Sequence, residues 1–76
     1  MKITVWNCRG LGNGPAVRGL LDLQKREDPD ILFLSETRMD ERRMLWFKYL
    51  LGMASIVVRG CEERSGGLAM LWKNHV

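Results

Sequence analysis

The order and spacing of apolar segments predict an α/β fold with elements in the order β-α-β-α-β-β. Three observations carry this reading: a β-branched and aromatic run at Ile3 to Trp6, a three-to-four periodicity after Pro15, and an unbroken apolar quartet at Ile31 to Leu34. At 76 residues the chain has room for one small domain. Its 46% hydrophobic and 28% charged residues lie close to globular averages, which excludes the low-hydropathy composition of disordered chains.

The first strand, Ile3 to Trp6, ends at Asn7, and Cys8-Arg9-Gly10-Leu11-Gly12-Asn13-Gly14 follows as a turn-rich loop. Pro15 suits the first turn of a helix, and Ala16, Val17, Leu20 and Leu21 recur at helical spacing, with Leu23 near the same face. That helix runs from about Pro15 to Glu27, because Pro29 disfavours helical geometry at Asp28. Ile31-Leu32-Phe33-Leu34 does not alternate, so it reads as a central strand covered on both faces and parallel to the first. A right-handed crossover joins the two. Asp40 caps a second helix whose Met44, Leu45, Phe47, Leu50 and Leu51 exceed a single apolar stripe, and Gly52 closes it. Met53 to Val58 and Gly67 to Trp72 form an antiparallel hairpin across the polar turn from Arg59 to Gly66.

Composition removes several function classes. Two cysteines, Cys8 and Cys61, make neither a disulfide framework nor a zinc site, and a reducing compartment with free thiols is the expectation. The apolar runs are too short for a secretory leader or a membrane span, so an intracellular protein without membrane contact is expected. The net charge of +3 comes from basic residues scattered among acids, which describes an ordinary solvated surface better than a dedicated nucleic-acid face. Gly10-Leu11-Gly12-Asn13-Gly14 lacks the Gly-Lys-Ser/Thr ending of a phosphate loop, so its glycines read as permissive turns. Trp6, Trp46 and Trp72 read as core aromatics rather than as base-stacking platforms. Cys8 reads as a small buried residue, since nothing beside it would stabilise a thiolate, and Cys61 as an exposed thiol in the turn.

The polar residues that remain gather where strands end. Asn7 follows the first strand and Ser35-Glu36-Thr37 follows the second, and open α/β sheets bind ligands beyond the carboxyl ends of their strands. Asn7 and Glu36 are therefore expected side by side.

Three segments in register then carry a family resemblance: Trp6-Asn7-Cys8-Arg9-Gly10-Leu11, Asp30-Ile31-Leu32-Phe33-Leu34-Ser35-Glu36-Thr37, and Gly66-Gly67-Leu68-Ala69-Met70-Leu71-Trp72. The chain resembles the N-terminal part of the endonuclease/exonuclease/phosphatase superfamily domain. Within it the chain looks most like the apurinic-type endonuclease domain of plant LINE-type (non-LTR) retrotransposons, where a Trp-Asn-Cys-Arg-Gly-Leu-Gly opening and a Leu-Ser-Glu-Thr strand exit are typical. The resemblance implies a truncated piece, residues 1–76, of the family's α/β sandwich, with apolar surface left open where the second half would pack.

It also implies that Glu36 binds a catalytic Mg²⁺ and that Asn7 helps hold metal and phosphate, as the catalytic and metal residues of a phosphodiesterase acting on DNA. One carboxylate and a neutral amide suit Mg²⁺, which keeps several waters and takes substrate oxygens. Arg9 and Arg38 are candidate nucleic-acid contacts, Arg38 alternatively a screen for Glu36 or a plain surface charge. The family's Asp-x-Asn and Ser-Asp-His motifs are missing, and His75 matches neither position, so this stretch alone is expected to lack a base and to bind metal weakly or not at all. A small interaction or weak nucleic-acid-binding module is the competing class, with self-association or a protein partner at an exposed sheet edge. Nuclear residence follows from the retrotransposon resemblance.

Overall fold

The computed structural model describes residues 1–62 and 65–76. It is an α/β fold: β1 (Ile3–Asn7), α1 (Gly14–Glu27), β2 (Ile31–Ser35), α2 (Glu41–Leu50), β3 (Ser55–Glu62) and β4 (Ser65–Trp72). The strands form one mixed sheet in the order β1-β2-β4-β3, with β1 parallel to β2 and β4 antiparallel to both its neighbours. The predicted element order, the central place of β2 and the antiparallel hairpin all hold. The boundaries differ in detail. Asn13 caps α1 by accepting the Ala16 N–H at 2.8 Å, so the helix begins one residue before Pro15. Asp40 caps α2 by accepting the Arg43 N–H at 2.7 Å, as its position after a polar segment suggests. Asp28, at φ 43°, ends α1 immediately before the buried Pro29.

β3 and β4 run well into the stretch that reads as a turn, pairing as far as Glu62 with Ser65. Glu63 and Arg64 of that turn, and the predicted exposure of the Cys61 thiol, lie outside the described residues.

Both crossovers, β1 to β2 and β2 to β3, step across the sheet in the same direction. A common hand therefore places both helices on one face. Burial agrees: Leu32, Leu34 and Leu71 are fully buried against Leu20 of α1 and Met44 and Phe47 of α2. Burying such side chains contributes about 1.5–3 kcal/mol each, and this layer is the core. Gln24 of α1 also donates its side-chain amide to the Leu51 carbonyl, joining the two helices.

The opposite sheet face is open, which corrects the expectation that β2 is covered on both sides. Val5, Phe33, Met70 and Val57 form one cross-strand row on that face. Val5 is 71% exposed and Phe33 36%. A non-alternating apolar strand signals two apolar environments, and this chain supplies helices for one of them. The aromatic reading is corrected in the same way: Trp6 packs beside the core, but Trp46 is 56% exposed on α2, edge-on to Phe47.

The amino-terminal ends of the strands are closed by charge. Asp30 accepts the Lys2 N–H at 2.7 Å and meets His75 Nε2 at 2.8 Å, while Lys73 pairs with Asp28 at 2.6 Å. The Lys2 amide first, and His75 second, hold the Asp30 carboxyl below its ordinary value of 3.8. A carboxyl depressed in the folded state contributes stability above its unfolded pKa and loses it as pH falls through the folded value. Urea midpoints are therefore expected to fall on acidification below about pH 4, and Asp30→Asn should flatten that acid limb. An unchanged acid limb in the variant would exclude Asp30 as its source.

The open face generates a second expectation. A contiguous apolar sheet surface favours association, so Val5→Lys together with Val57→Lys should lower self-association in sedimentation runs. Both positions are exposed on edge strands, and thermal melting should stay within a few degrees. Unchanged association in the double variant would place the sticky surface elsewhere.

Candidate functional site

The parallel pairing of β1 and β2 brings the two predicted residues to one edge of the sheet. Asn7 is the register partner of Ser35, and Glu36 is the next residue along. Hydrogen bonding continues past the strand ends, with Cys8 N–H donating to the Ser35 carbonyl at 2.8 Å, Gly10 N–H to Glu36 at 2.8 Å and Leu11 N–H to Thr37 at 3.0 Å. The third segment joins from the other side: Thr37 N–H donates to the Gly67 carbonyl at 3.2 Å and Arg38 N–H to Gly66 at 2.9 Å. All three segments singled out in the sequence are thus stitched into one rim by main-chain bonds.

The rim is strained where its polar side chains stand. Arg9, Glu36 and Arg38 adopt left-handed backbone at φ 51°, 49° and 52°. Non-glycine residues seldom do so, and each costs on the order of 1 kcal/mol or more that the surrounding bonds must offset. Gly10, at φ 92°, sits in backbone that favours glycine whatever the space around it, with the Arg38 side-chain stem in ordinary contact distance of where a Cβ would stand.

Asn7 is exposed, and its Oδ1 accepts the Arg9 N–H at 3.1 Å, which orients the amide and leaves a lone pair free. The Glu36 carboxylate is about half exposed and stands 3.8 Å from the Arg38 guanidinium. At that separation in solvent the pair is weak and easily exchanged for another ligand. Arg9 is placed on the same rim by the Asn7 bond and by its neighbour Gly10.

Sequence reasoning missed the part played by Thr37. It is fully buried beside Glu36, and its Oγ1 has no hydrogen-bond partner among the described residues. Its place in a Ser-Glu-Thr exit was visible, but an unsatisfied hydroxyl has no sequence signature. Cys8 is buried as expected, and burial pushes its thiol up to about 12. It is a neutral thiol at physiological pH and no nucleophile. His75 stands with Asp30 at the amino-terminal end of β2, opposite to the end that carries Glu36.

The oxygen set at this rim is hard and incomplete. One carboxylate and one amide oxygen fit a small divalent cation that keeps water and takes ligands from a phosphate. Among the described residues no group of three His, Cys, Asp or Glu side chains converges to enclose a metal. A carboxylate, an amide and two guanidinium groups thus stand at adjoining carboxyl ends of parallel strands, the place where open α/β sheets bind their ligands. The chain belongs to the Endonuclease/Exonuclease/phosphatase family, which it matches over residues 4–76. It is 40% identical over 78 residues to the DNA repair nuclease APEX1 of Danio rerio, in a match that covers 96% of this chain and 24% of that protein. Among the described residues no helix is long and apolar enough to cross a membrane.

Thr37 yields a direct test. A buried hydroxyl without a partner forfeits its hydration, at a cost of about 1–3 kcal/mol in proteins. Thr37→Val keeps the branched shape and should raise stability by about 1 kcal/mol in urea titration. A loss of stability would mean that the hydroxyl is satisfied in solution.

Proposed function

We propose that the chain is the opening segment of a metal-dependent phosphodiesterase domain acting on the DNA backbone, with Glu36 as ligand of a Mg²⁺ ion and Asn7 as its partner toward metal and phosphate. The observation that carries this reading is the placement of Asn7 and Glu36 on adjoining ends of two hydrogen-bonded parallel strands. The Glu36 carboxylate, whose one ion pair among the described residues is a long and solvated contact to Arg38, is available to a cation. Bound there, Mg²⁺ would supply charge neutralisation at a phosphate oxygen. This chain's own residues supply the rest of one side of the site: Asn7 orients an oxygen through its bond to the Arg9 amide, and Arg9 and Arg38 offer positive charge toward a phosphate.

Among the described residues, nothing at this rim takes a proton from an attacking water. Glu36 is committed to the cation, the Cys8 thiol is neutral, and His75 is at the far end of the sheet. Residues 1–76 by themselves are therefore proposed to be inactive, and the remaining chemistry to belong to the part of the domain that this stretch does not cover. The Trp6-Asn7-Cys8-Arg9-Gly10-Leu11-Gly12 opening and the Leu34-Ser35-Glu36-Thr37 exit support a closer kinship with the endonucleases of plant LINE-type retrotransposons. DNA as substrate and nuclear residence belong to the same proposal. The second reading, a binding module without catalysis, is favoured by one observation: the apolar sheet face on which Ile3 is 60% and Val5 71% exposed.

Hydrolysis of an abasic duplex with Mg²⁺ separates the readings. The 76-residue chain is expected to show no turnover above a Glu36→Gln control. Fused to a downstream segment bearing Asp-x-Asn and Ser-Asp-His, it should cleave, and Glu36→Gln should abolish that cleavage while Arg42→Gln leaves it intact. A fusion that cleaves equally well with Glu36→Gln would refute the metal role.

A further inference from the structure

α2 is apolar on two sides and buries one. Met44 and Phe47 enter the core, whereas Leu45, Trp46 and Tyr49 are 45%, 56% and 74% exposed. Residues three and four apart share a helix face, so Leu45, Trp46 and Tyr49 form a continuous ridge. Beside the ridge, between α2 and the start of α1, lies a cleft of about 400 Å³. Leu11, Val17, Met39 and Phe47 form its apolar floor, and Trp46 and Arg43 stand on its rim. Neither Asn7 nor Glu36 lines it.

We propose that this cleft is a docking site for an acidic amphipathic helix, whose aromatic or aliphatic anchor enters the cleft beside Trp46 and whose carboxylates meet Arg43 and Arg42. The volume is within the range of ligand pockets, about 300–1,000 Å³, and has room for a large anchor side chain. The chemistry of the lining selects that anchor. The apolar floor suits an apolar anchor. With the Asn13 side-chain oxygen already accepting the Ala16 N–H, the groups left at the cleft edge are donors, the Asn13 amide NH2 and the Arg43 guanidinium, which suit a carboxylate. An apolar side chain flanked by carboxylates answers both parts of this lining.

The charge selects the rest of the partner. α2 carries Arg42, Arg43 and Lys48 against Glu41 and the capping Asp40, whose carboxylate is taken up by the helix N-terminus. Among the described residues Arg43 makes no ion pair, its main-chain N–H alone being engaged by Asp40. An exposed tryptophan next to an uncommitted arginine is the composition of an interface hot spot. An acidic helix laid across the ridge presents anchors at i, i+3 and i+4 and carboxylates to the basic rim.

The probe is a fluorescein-labelled helical peptide with Phe and Leu at i, i+3 and i+4 spacing among Glu residues, titrated with the 76-residue chain and followed by anisotropy. Saturable binding is expected, weakened about tenfold by Arg43→Glu, by Trp46→Ala and by Ala in place of the peptide's Phe. Arg26→Glu, the same charge change on the exposed last turn of α1, should stay within about twofold. Circular dichroism checks folding, and if Arg43→Glu unfolds, Arg43→Gln and Trp46→Ala carry the comparison at exposed positions. The proposal fails if the peptide does not bind, if its Ala version binds equally, or if Arg26→Glu weakens it as much. It also fails if a labelled oligothymidylate binds and loses affinity with Trp46→Ala while the peptide does not bind, since the face then belongs to nucleic acid.

Discussion

The parallel pairing of β1 with β2 is the constraint on which the rest depends. Side chains alternate along a strand with a period of two, so a slip of one residue would turn Leu32 and Leu34 out of the core and Phe33 into it. The same slip would also change which residue of the β2 exit stands opposite Asn7 and reverse the relative facing of the side chains there. Core and candidate site are thus two consequences of one register, read at different points along the same ladder. The ladder is reinforced at both ends: beyond Asn7 and Ser35 by main-chain bonds through Leu11 and Thr37, and before them by Asp30, which ties Lys2 and His75 to the start of β2.

Much of this arrangement was legible in the sequence, because it rests on strong local signals. The β-branched start, the proline-bounded helix and the apolar quartet specify strand, helix and strand, and a short parallel crossover has essentially one hand. The proximity of Asn7 and Glu36 follows from that topology with no knowledge of side-chain positions. Other features were out of reach for a physical reason. Left-handed backbone at Arg9, Glu36 and Arg38 is imposed by tertiary hydrogen bonds, and no residue type at those positions announces it. The unpartnered Thr37 hydroxyl is likewise a property of its surroundings.

The misread positions share one cause. Ile31 to Leu34 reads as a strand covered on both faces and Trp46 as a core aromatic, because an apolar residue in a regular element is assigned a cover, even though the chain as a whole is expected to leave apolar surface open. In this chain both helices lie on the same sheet face, so the apolar sides of Phe33 and Trp46 remain open. The pattern records how many environments a segment is suited to. It does not record whether the same stretch of chain supplies them all. With 24% of the length of its repair-nuclease relative matched, the chain has covers for one side of β2 and one side of α2.

The two ends of the sheet differ in a way that bears on function. At the amino-terminal ends, Asp30 accepts the Lys2 main-chain N–H and meets His75, and Asp28 pairs with Lys73, so both acids are engaged within the fold. At the carboxyl ends the backbone is strained and, among the described residues, the buried Thr37 hydroxyl has no partner and Glu36 has a long solvated contact to Arg38. Local choices that conflict with stability concentrate at functional positions, because a group satisfied within its own fold has little left to offer a ligand. By that criterion the rim carrying Asn7, Glu36 and Thr37 is the end of the sheet that the proposed function assigns to a ligand. Its cost is sustained by main-chain bonds to β4 that hold Thr37 and Arg38 in place. Those bonds explain why the glycine pair at Gly66 and Gly67 belongs with the site: it presents the carbonyls that fix the strained turn from the far side.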